Sequence, residues 1–371
     1  MASIDRWKEG YRARWRAPDG KSRSKVFARK VDAKAFLATV EHTKQTGNYV
    51  DPAAGRVPFR EYAEEWRLAQ PHRHGTGVAV EQHLRLHVYP IIGARPIAAI
   101  RPSEVQALVR SLSESLSPST VAVVYGRVVA VFRSAVRDRV IGWSPCVDIR
   151  LPSANAASAV SDVLTTKQIF ALADAVPKRY RAVILAGAGL GLRPGELFGL
   201  TLDRVEFLKR RVRVEQQLVR LRGTGVVVGP LKTPSSYRTV PLPEHVARAI
   251  ATHTEMFGPH PELGLVFTNE RGGPIQQYPF SAMFANALRR AELPDWATPH
   301  DLRHFYASML IRSGASVKAV QVRLGHSSAK TTLDVYGHLF PDEEDRTRRA
   351  LEEAFEDHED EPPDDAASDG K

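Results

Sequence analysis

The segment from Thr298 to Tyr336 carries residue types and spacings that could bind a phosphate. It begins with Thr298 and Pro299, and a Thr N-cap followed by Pro at the first helical position predicts a helix start. His300 and Arg303 follow three residues apart, so a helix places both on one face of its first turn. Free backbone N–H groups at that turn favour an anion. We therefore expect a phosphate to bind at the start of this helix.

Two further predicted helices bring a histidine and a tyrosine toward the same place. The run from Val317 to Leu324 has apolar residues at helical spacing and is closed by Gly325, the usual left-handed terminator. His326 follows, and a third helix capped by serine carries Tyr336. This order predicts that the Tyr336 hydroxyl reaches the space in front of the first helix.

The same helix start also resembles a zinc-protease motif, because His300 and His304 are spaced at i and i+4. However, the residue after the first histidine is Asp301, whose side chain is one methylene shorter than the glutamate of that motif. Arg303 would also place a cation beside the metal. A metalloprotease stays an alternative interpretation, which bound zinc in the purified protein would support. Any one of these residues taken alone is more often part of a protein core.

Two more cations stand upstream in turns. Pro194 keeps Arg193 out of the helical region and starts the next helix, so the guanidinium is held in a turn between two predicted helices. Functional arginines are commonly displayed on such connections. Lys232 lies at the edge of a second turn, between two β-like runs.

Six residues in this order resemble the catalytic set of the tyrosine recombinases, the lambda-integrase family. They are Arg193, Lys232, His300, Arg303, His326 and Tyr336. The runs GLRPGEL, HDLRH and LGHSS are close to the family patterns, and the match extends from about residue 160 to about residue 345. The resemblance implies a mainly α fold with small β-sheets (α+β), ending in a mixed α/β catalytic domain.

The chemistry of this set also follows from the residue types. A free tyrosine has a pKa of about 10, so attack on phosphorus at neutral pH needs a proton acceptor and cationic surroundings. Arg193 and Arg303 can grip the non-bridging oxygens and neutralise charge that builds in the transition state. Exchange of a phosphodiester for a phosphotyrosyl ester of similar energy requires no cofactor and no metal.

The remaining residues are assigned to proton transfer and support. Lys232 is a mobile donor suited to protonating a leaving 5′-hydroxyl. His300 is interpreted as the base or hydrogen-bond partner for the tyrosine and phosphate, and His326 as a second donor to the phosphate. Glu196, three residues after Arg193, is assigned a supporting role.

Composition agrees with a nucleic-acid partner. The chain has 52 Lys and Arg against 42 Asp and Glu, a net charge of +10. Residues 342–371 hold 14 acids and 4 bases, a net −10, so the chain before them carries +20. That surplus is what phosphate binding needs, although charge alone also fits a solvated basic surface.

The cellular setting is predicted from cysteine use and hydropathy. Cys146 is the single cysteine, so no internal disulfide forms and a reducing cytoplasm is expected. No apolar run approaches the roughly 18 residues of a membrane span, and the N-terminus has charges where a signal peptide is apolar. We therefore expect no membrane association.

Residues 1–50 are predicted to form three short strands and a helix, with 12 Lys and Arg against 5 Asp and Glu. A basic sheet with interleaved aromatics can lie in a DNA groove. The module resembles the arm-type DNA-binding domain of phage-type integrases, although a sheet added for stability alone is the alternative. The predicted DNA-binding residues are Arg12, Arg14, Arg16, Lys21, Arg23 and Lys25.

The rest of the chain is divided by pattern and by the resemblance. Residues 56–150 read as helices and resemble the core-binding (SAM-like) domain, residues 151–161 read as a linker, and residues 162–345 form the catalytic domain. Residues 346–371 are expected to hold a C-terminal helix with Leu351 and Phe355 on its apolar side, then a disordered acidic tail.

The resemblance implies a site-specific recombinase that cleaves and rejoins duplex DNA through a 3′-phosphotyrosyl intermediate, to integrate or excise a mobile element. The implied partners are double-stranded DNA at core and arm-type sites, a homo-tetramer on DNA, a host DNA-bending factor and an excision directionality factor. A type IB topoisomerase uses nearly the same residues, but the basic N-terminal module argues against it. A non-catalytic DNA-binding regulator would not need every catalytic position filled.

Overall fold

The computed structural model describes residues 2–47, 49–153, 162–221, 225–340, 348, 351 and 352. Helices dominate, and the strands form small antiparallel sheets, which confirms the predicted fold class. The chain divides into two units, Met1–Asn155 and Ala156–Lys371.

The first unit begins with a three-stranded sheet covered on one side by a helix, as predicted. Strand alternation turns Ala13 and Trp15 toward the helix, where both are buried. Trp15 Nε1 donates to Tyr49 Oη at 2.7 Å, which ties the following segment to this small core. The elements are β1 Ser3–Trp7, β2 Gly10–Arg16, β3 Ser22–Phe27 and α1 Lys30–Gln45.

Helices form the remainder of the first unit. The sequence predicts residues 90–93 as a connection between helices, but residues 90–92 are helical and the helix ends before Gly93. Pro90 falls in the first turn, where its missing N–H costs nothing. A π-helical turn, Leu84–Val88, precedes it. The helices are α2 Phe59–Ala69, α3 His74–His83, α4 Tyr89–Ile92, α5 Pro102–Ser113 and α6 Pro118–Arg137.

Helix α6 is long and apolar enough, by length and composition alone, to cross a membrane. The expectation that no run comes near this length was therefore wrong. Its apolar side, with Val121, Val124, Val128 and Val131, is fully buried against the other helices of the unit. These four valines therefore belong to the core of the unit, whereas Val123 on the same helix is 46% exposed.

The second unit is built around one buried helix. It contains α7 Thr166–Ala175, α8 Lys178–Leu190, α9 Pro194–Phe198, β4 Val205–Glu206, β5 Arg211–Val214, β6 Gln216–Leu221, β7 Gly225–Pro230, β8 Arg238–Pro241, α10 Glu244–Phe257, α11 Gln277–Arg290, α12 Asp301–Arg312, α13 Val317–Leu324 and α14 Ala329–Tyr336. Helix α8 packs against α7, α10 and α12. A Cβ at Gly187 would lie 2.8 Å from Leu302 Cδ1, so glycine on α8 permits the close approach of α12.

Two sequence expectations differ from the structure here. Residues 211–219 have a β-like pattern that predicts one strand, but the structure splits them. Strand β5 joins β4 and β8, whereas β6 pairs with β7 in a separate hairpin. Alternation of apolar residues indicates an extended backbone, but it does not show which neighbouring strand β5 or β6 pairs with. Of the expected C-terminal helix, the structure describes only Arg348, Leu351 and Glu352, which are helical; Phe355 and the acidic tail lie outside the described residues.

Candidate active site

Helix α12 begins later than the sequence predicts. It starts at Asp301 with His300 as N-cap, because Asp301 Oδ2 accepts hydrogen bonds from both the backbone N and the hydroxyl of Thr298, each at 2.7 Å. That closed turn takes the place of the predicted first helical residues. Arg303 still lies in the first turn of α12.

Three arginines meet the C-terminal end of α13. The last carbonyls of a helix have no intrahelical partners and form the negative end of its dipole, so they accept hydrogen bonds from cations. The pairs are Arg238 Nε with Arg323 O at 2.8 Å, Arg303 Nη2 with Leu324 O at 2.6 Å, and Arg193 Nη2 with Gly325 O at 3.2 Å. Three separate elements are thereby fixed around one helix end, directly before His326.

Glu196 joins two of these arginines. Its Oε1 lies 2.9 Å from Arg193 Nη1, and its Oε2 lies 2.9 Å from Arg238 Nη2 and accepts the Arg193 backbone N–H at 3.0 Å. Burial by itself raises the pKa of Glu196, but Arg238 and Arg193 outweigh that effect and hold its pKa below the usual range. Arg193 adopts extended backbone angles before Pro194, as predicted. Arg238 is a residue that the sequence analysis missed.

Arg303 is a buried cation, only 2% exposed. Besides its bond to α13, its Nη1 donates to Gly191 O at 2.8 Å. Burial lowers the pKa of Arg303 to about 9, and repulsion from Arg193 and Arg238 adds to this effect. The group stays charged at neutral pH, so the cluster of three arginines and one carboxylate carries excess positive charge and favours an anion.

Two of the predicted histidines lie beside this cluster. Desolvation lowers the pKa of His326 to about 4, with Arg303, Arg193 and Arg238 adding repulsion. His326 Nδ1 lies 2.9 Å from Thr332 Oγ1. His300 keeps an exposed edge, and desolvation followed by the charges of His304 and Arg303 lowers its pKa also. Both rings are therefore neutral at pH 7.

The Tyr336 hydroxyl contacts His304, whereas the sequence predicts His300 as its partner. His304 Nδ1 lies 2.7 Å from Tyr336 Oη, and the tyrosine is 1% exposed. Burial raises the pKa of Tyr336 to about 12, although nearby Arg303 opposes the rise. The His300 and His304 rings meet edge to face, 4.9 Å between centroids. The i, i+4 spacing noted for a zinc motif was the signal that could have identified His304.

Lys232 is exposed on the turn between β7 and β8. This turn approaches α13 closely: a Cβ at Gly325 would lie 3.0 Å from Ser235 O and 3.1 Å from Arg238 Nη1. Gly325 also has a φ of +65°, which favours glycine. The Lys232 turn and His326 are thus held next to each other through one glycine.

The structure places the predicted DNA-binding residues of the N-terminal module on two faces. Arg12, Arg14 and Arg16 alternate with buried residues on β2, so they lie on the sheet face that α1 does not cover. Arg14 and Arg16 are exposed. Arg12 pairs with Asp5, Nη2 to Oδ2 2.6 Å, and stacks 3.6 Å above the Trp7 ring.

The other three positions have different surroundings. Arg23 and Lys25 pair across the sheet with Trp15 and Ala13, so they lie on the side of α1. Arg23 forms an ion pair with Asp51 at 2.7 Å, and Lys25 Nζ lies 5.0 Å from the Phe36 ring centroid. Lys21 is exposed in the turn before β3.

The structure adds no third ligand to the zinc site that the spacing of His300 and His304 suggested, among the residues that it describes. In the part of the chain that the structure describes, no three His, Cys, Asp or Glu side chains are placed to hold a metal ion. His304 directs Nδ1 to the Tyr336 hydroxyl instead.

Known proteins resemble both parts of this chain. The model of the Phage integrase family matches residues 162–343, and the model of the Phage integrase central domain matches residues 59–151. An integrase of Mycobacterium phage FRAT1 is 29% identical over 318 residues, which cover 82% of this chain and 92% of the phage protein.

Solved structures show the same fold. The Tn1549 transposon integrase, solved in complex with a circular intermediate DNA, has a TM-score of 0.69 at 24% identity and covers 80% of this chain and 99% of that chain. Lambda integrase, solved as a tetramer bound to a Holliday junction, has a TM-score of 0.57 at 16% identity, over 88% of this chain and 96% of that chain. With both family models matched in chain order over most of its length, the chain belongs to the phage integrase family of tyrosine recombinases.

Proposed function

We propose that this protein cleaves and rejoins duplex DNA through a 3′-phosphotyrosyl intermediate formed on Tyr336, and so integrates or excises a mobile element. Family membership implies site-specific recombination. The observation that carries the mechanism is the cluster of Arg193, Arg303 and Arg238 around the end of α13, beside the α12 helix whose His304 holds the tyrosine.

In the proposed reaction, the scissile phosphate binds against Arg193, whose side chain is 34% exposed, and against Arg303 behind it. Tyr336 gives its phenolic proton to a neighbouring histidine as its oxygen bonds to phosphorus, the bond from phosphorus to the 5′-oxygen breaks, and Lys232 gives that 5′-oxygen a proton. Charge that builds on the non-bridging oxygens is stabilised by the guanidinium groups. Neutral His300 and His326 each supply one N–H donor.

The burial of Tyr336 adds a conformational step to this proposal. Its ring belongs to a small apolar cluster with Ala307, Ile311, Val320 and Leu324, against which Leu339 and Phe340 also pack. An attack on a phosphate of bound DNA requires one side of the ring to be uncovered. We expect the segment after α14 to shift when DNA binds.

The domain roles are part of the same proposal. Residues 1–50 bind arm-type DNA, residues 56–150 bind the core site, residues 151–161 link them to the catalytic domain at residues 162–345, and residues 346–371 form the C-terminal helix and tail. The family matches at residues 59–151 and 162–343 support the second and fourth of these. The open basic face of the N-terminal sheet supports the first.

The proposed partners follow from the relatives. The DNA complexes of the Tn1549 and lambda integrases support double-stranded DNA as substrate, and the lambda tetramer supports a homo-tetramer on DNA. A host DNA-bending factor, an excision directionality factor and a cytoplasmic setting complete the proposal.

The experiment is recombination between two duplexes that carry the host–element junction sequences flanking the gene. The purified chain should yield joined products of defined length without ATP or metal. Relaxation of a supercoiled plasmid without any joined product would favour the topoisomerase alternative. Binding without cleavage of either duplex would favour the non-catalytic regulator.

A further inference from the structure

The second histidine of α12 is placed against the atom that reacts. His304 lies one turn after His300, and its Nδ1 is 2.7 Å from Tyr336 Oη. The two rings meet nearly edge to face, 5.4 Å between centroids at 60°. A distance of 2.7 Å between the two heavy atoms is within hydrogen-bond range, so a proton can pass directly between them.

The protonation states of the two side chains permit a proton transfer from Tyr336 to His304. Burial lowers the pKa of His304, Arg303 lowers it further and Asp301 partly opposes them, so the imidazole is neutral at pH 7 and keeps one lone pair. The phenol of Tyr336 has one proton and a raised pKa. In the His304 tautomer that carries its proton on Nε2, the tyrosine donates and Nδ1 of His304 accepts.

We propose that His304 takes the phenolic proton of Tyr336 as the tyrosine oxygen bonds to phosphorus; this inference rests on the proposed function. The O–H bond of Tyr336 breaks and its proton moves to Nδ1, the bond from Oη to phosphorus forms, and the bond to the 5′-oxygen breaks. Lys232 protonates that oxygen. His304 ends as an imidazolium and Lys232 as a neutral amine, so charge and protons balance.

Rejoining runs the same transfers backwards. The free 5′-hydroxyl attacks the phosphotyrosyl ester and gives its proton to Lys232. The His304 imidazolium returns its proton to the departing tyrosine oxygen. One histidine thus serves as base in cleavage and as acid in rejoining.

The test compares His304→Asn with His304→Ala. The Oδ1 of asparagine lies near the position of Nδ1 and can still accept the tyrosine hydrogen bond, but an amide cannot take a proton. The measurement is the single-turnover rate of covalent adduct formation on a nicked suicide duplex at pH 7. We expect both variants to be slower by on the order of 100-fold or more, with half-site DNA binding and the unfolding temperature of His304→Asn close to wild type.

Other rates of adduct formation by the two His304 variants would contradict the proposal. A wild-type rate in His304→Asn would show that the contact only positions the tyrosine, and a rate above wild type in either variant would show that it restrains the tyrosine; both results overturn the proposal. If the alanine variant does not fold, the asparagine variant decides.

A second substrate separates this inference from the proposed function. A duplex with a 5′-bridging sulfur has a leaving group that needs no proton, so it should restore cleavage by Lys232→Ala but not by His304→Asn. Rescue of both variants would place His304 on the leaving-group side and overturn the inference. Absence of any adduct with the wild-type chain would instead contradict the proposed function itself.

Discussion

At the residue scale, the site is defined by an imbalance of charge. Three guanidinium groups share one carboxylate, which pairs with two of them, and the side chains of Arg238 and Glu196 are 3% and 2% exposed. Burying cations without equal numbers of anions is costly, and the carbonyls at the end of α13 reduce that cost only in part. In the proposed function, a bound phosphodiester supplies the missing negative charge.

Arg303→Lys tests whether geometry as well as charge matters at this site. Lysine keeps the charge but cannot donate to Gly191 O and Leu324 O together, as Arg303 does at 2.8 and 2.6 Å. Adduct formation should fall by on the order of 100-fold, measured on a suicide duplex. Arg312→Lys, at the exposed end of the same helix, should keep the wild-type rate. Equal rates for all three proteins would remove Arg303 from the site.

At the element scale, the end of α13 is the point where separate parts of the unit are joined. Arg193 is the N-cap residue before α9, Arg238 begins β8 and Arg303 lies on α12. Each donates to a different carbonyl of the same helix end. The position of His326, one residue after Gly325, therefore depends on all three contacts.

Arg238→Met should lower the free energy of unfolding by about 3 kcal/mol or more, because it removes one partner of a buried ion pair and leaves Glu196 with Arg193 alone. Denaturation in urea measures this change. Arg248→Met, which removes a 70% exposed arginine on α10, should change stability by less than about 0.5 kcal/mol. Adding Glu196→Gln to Arg238→Met should recover part of the loss. Similar stabilities for the two single variants would show that Arg238 is not a structural contact.

The N-terminal sheet gives a prediction about which face binds DNA. Arg14→Glu with Arg16→Glu reverses charge on the open face, whereas Lys30→Glu with Lys34→Glu makes the same charge change at exposed positions of α1, on the covered side. At fixed salt, the first pair should weaken binding to a distal arm-type duplex by on the order of 10-fold or more, since phosphate contacts are lost. A mobility-shift titration with that duplex measures the binding affinity of the two double variants. Equal weakening by both pairs would mean that net charge alone matters.

At the scale of the whole molecule, stability should depend on pH through the histidines of the site. The folded chain protonates His326 only near its pKa of about 4, whereas an unfolded histidine protonates at about 6.5. Between these values the unfolded chain binds more protons, so stability that is present above pH 6.5 is lost as pH falls toward 4. The charges that face His326 are Arg303, Arg193 and Arg238, with His300 beside them.

His326→Asn should weaken this dependence, because asparagine can keep the contact with Thr332 but does not titrate. The unfolding temperature of the wild type should drop more between pH 7 and pH 5 than that of the variant, and carboxylates common to both proteins cancel in the comparison. Parallel curves would contradict the low pKa of His326.

Local chemistry determined how much of the molecule was predictable. The backbone of Arg193 follows from Pro194, and Gly325 after α13 and the serine cap of α14 follow from short-range rules. These parts were predicted correctly. The start of α12 was placed too early because Asp301 reaches back to Thr298. A pattern that reports only helical spacing does not show this bond.

Contacts between distant residues could not be read in the same way. Arg238 meets Glu196 across 42 positions and His304 meets Tyr336 across 32, and neither pair has a periodic signature. The split of residues 211–219 into two sheets likewise depends on partners far along the chain. The six predicted catalytic residues were selected by residue type and spacing and grouped as one set by the family resemblance, and their roles remain a proposal.

The central claim is that Tyr336 forms the covalent bond to DNA. The most direct measurement is adduct formation on a nicked suicide duplex by the wild type, Tyr336→Phe and Tyr306→Phe, with the adduct peptide sequenced by mass spectrometry. Tyr306 is the matched control, a half-buried tyrosine on α12. We predict an adduct on the peptide that contains residue 336 in the wild type and Tyr306→Phe, and none in Tyr336→Phe, which should still bind DNA. An adduct formed by Tyr336→Phe would contradict the account.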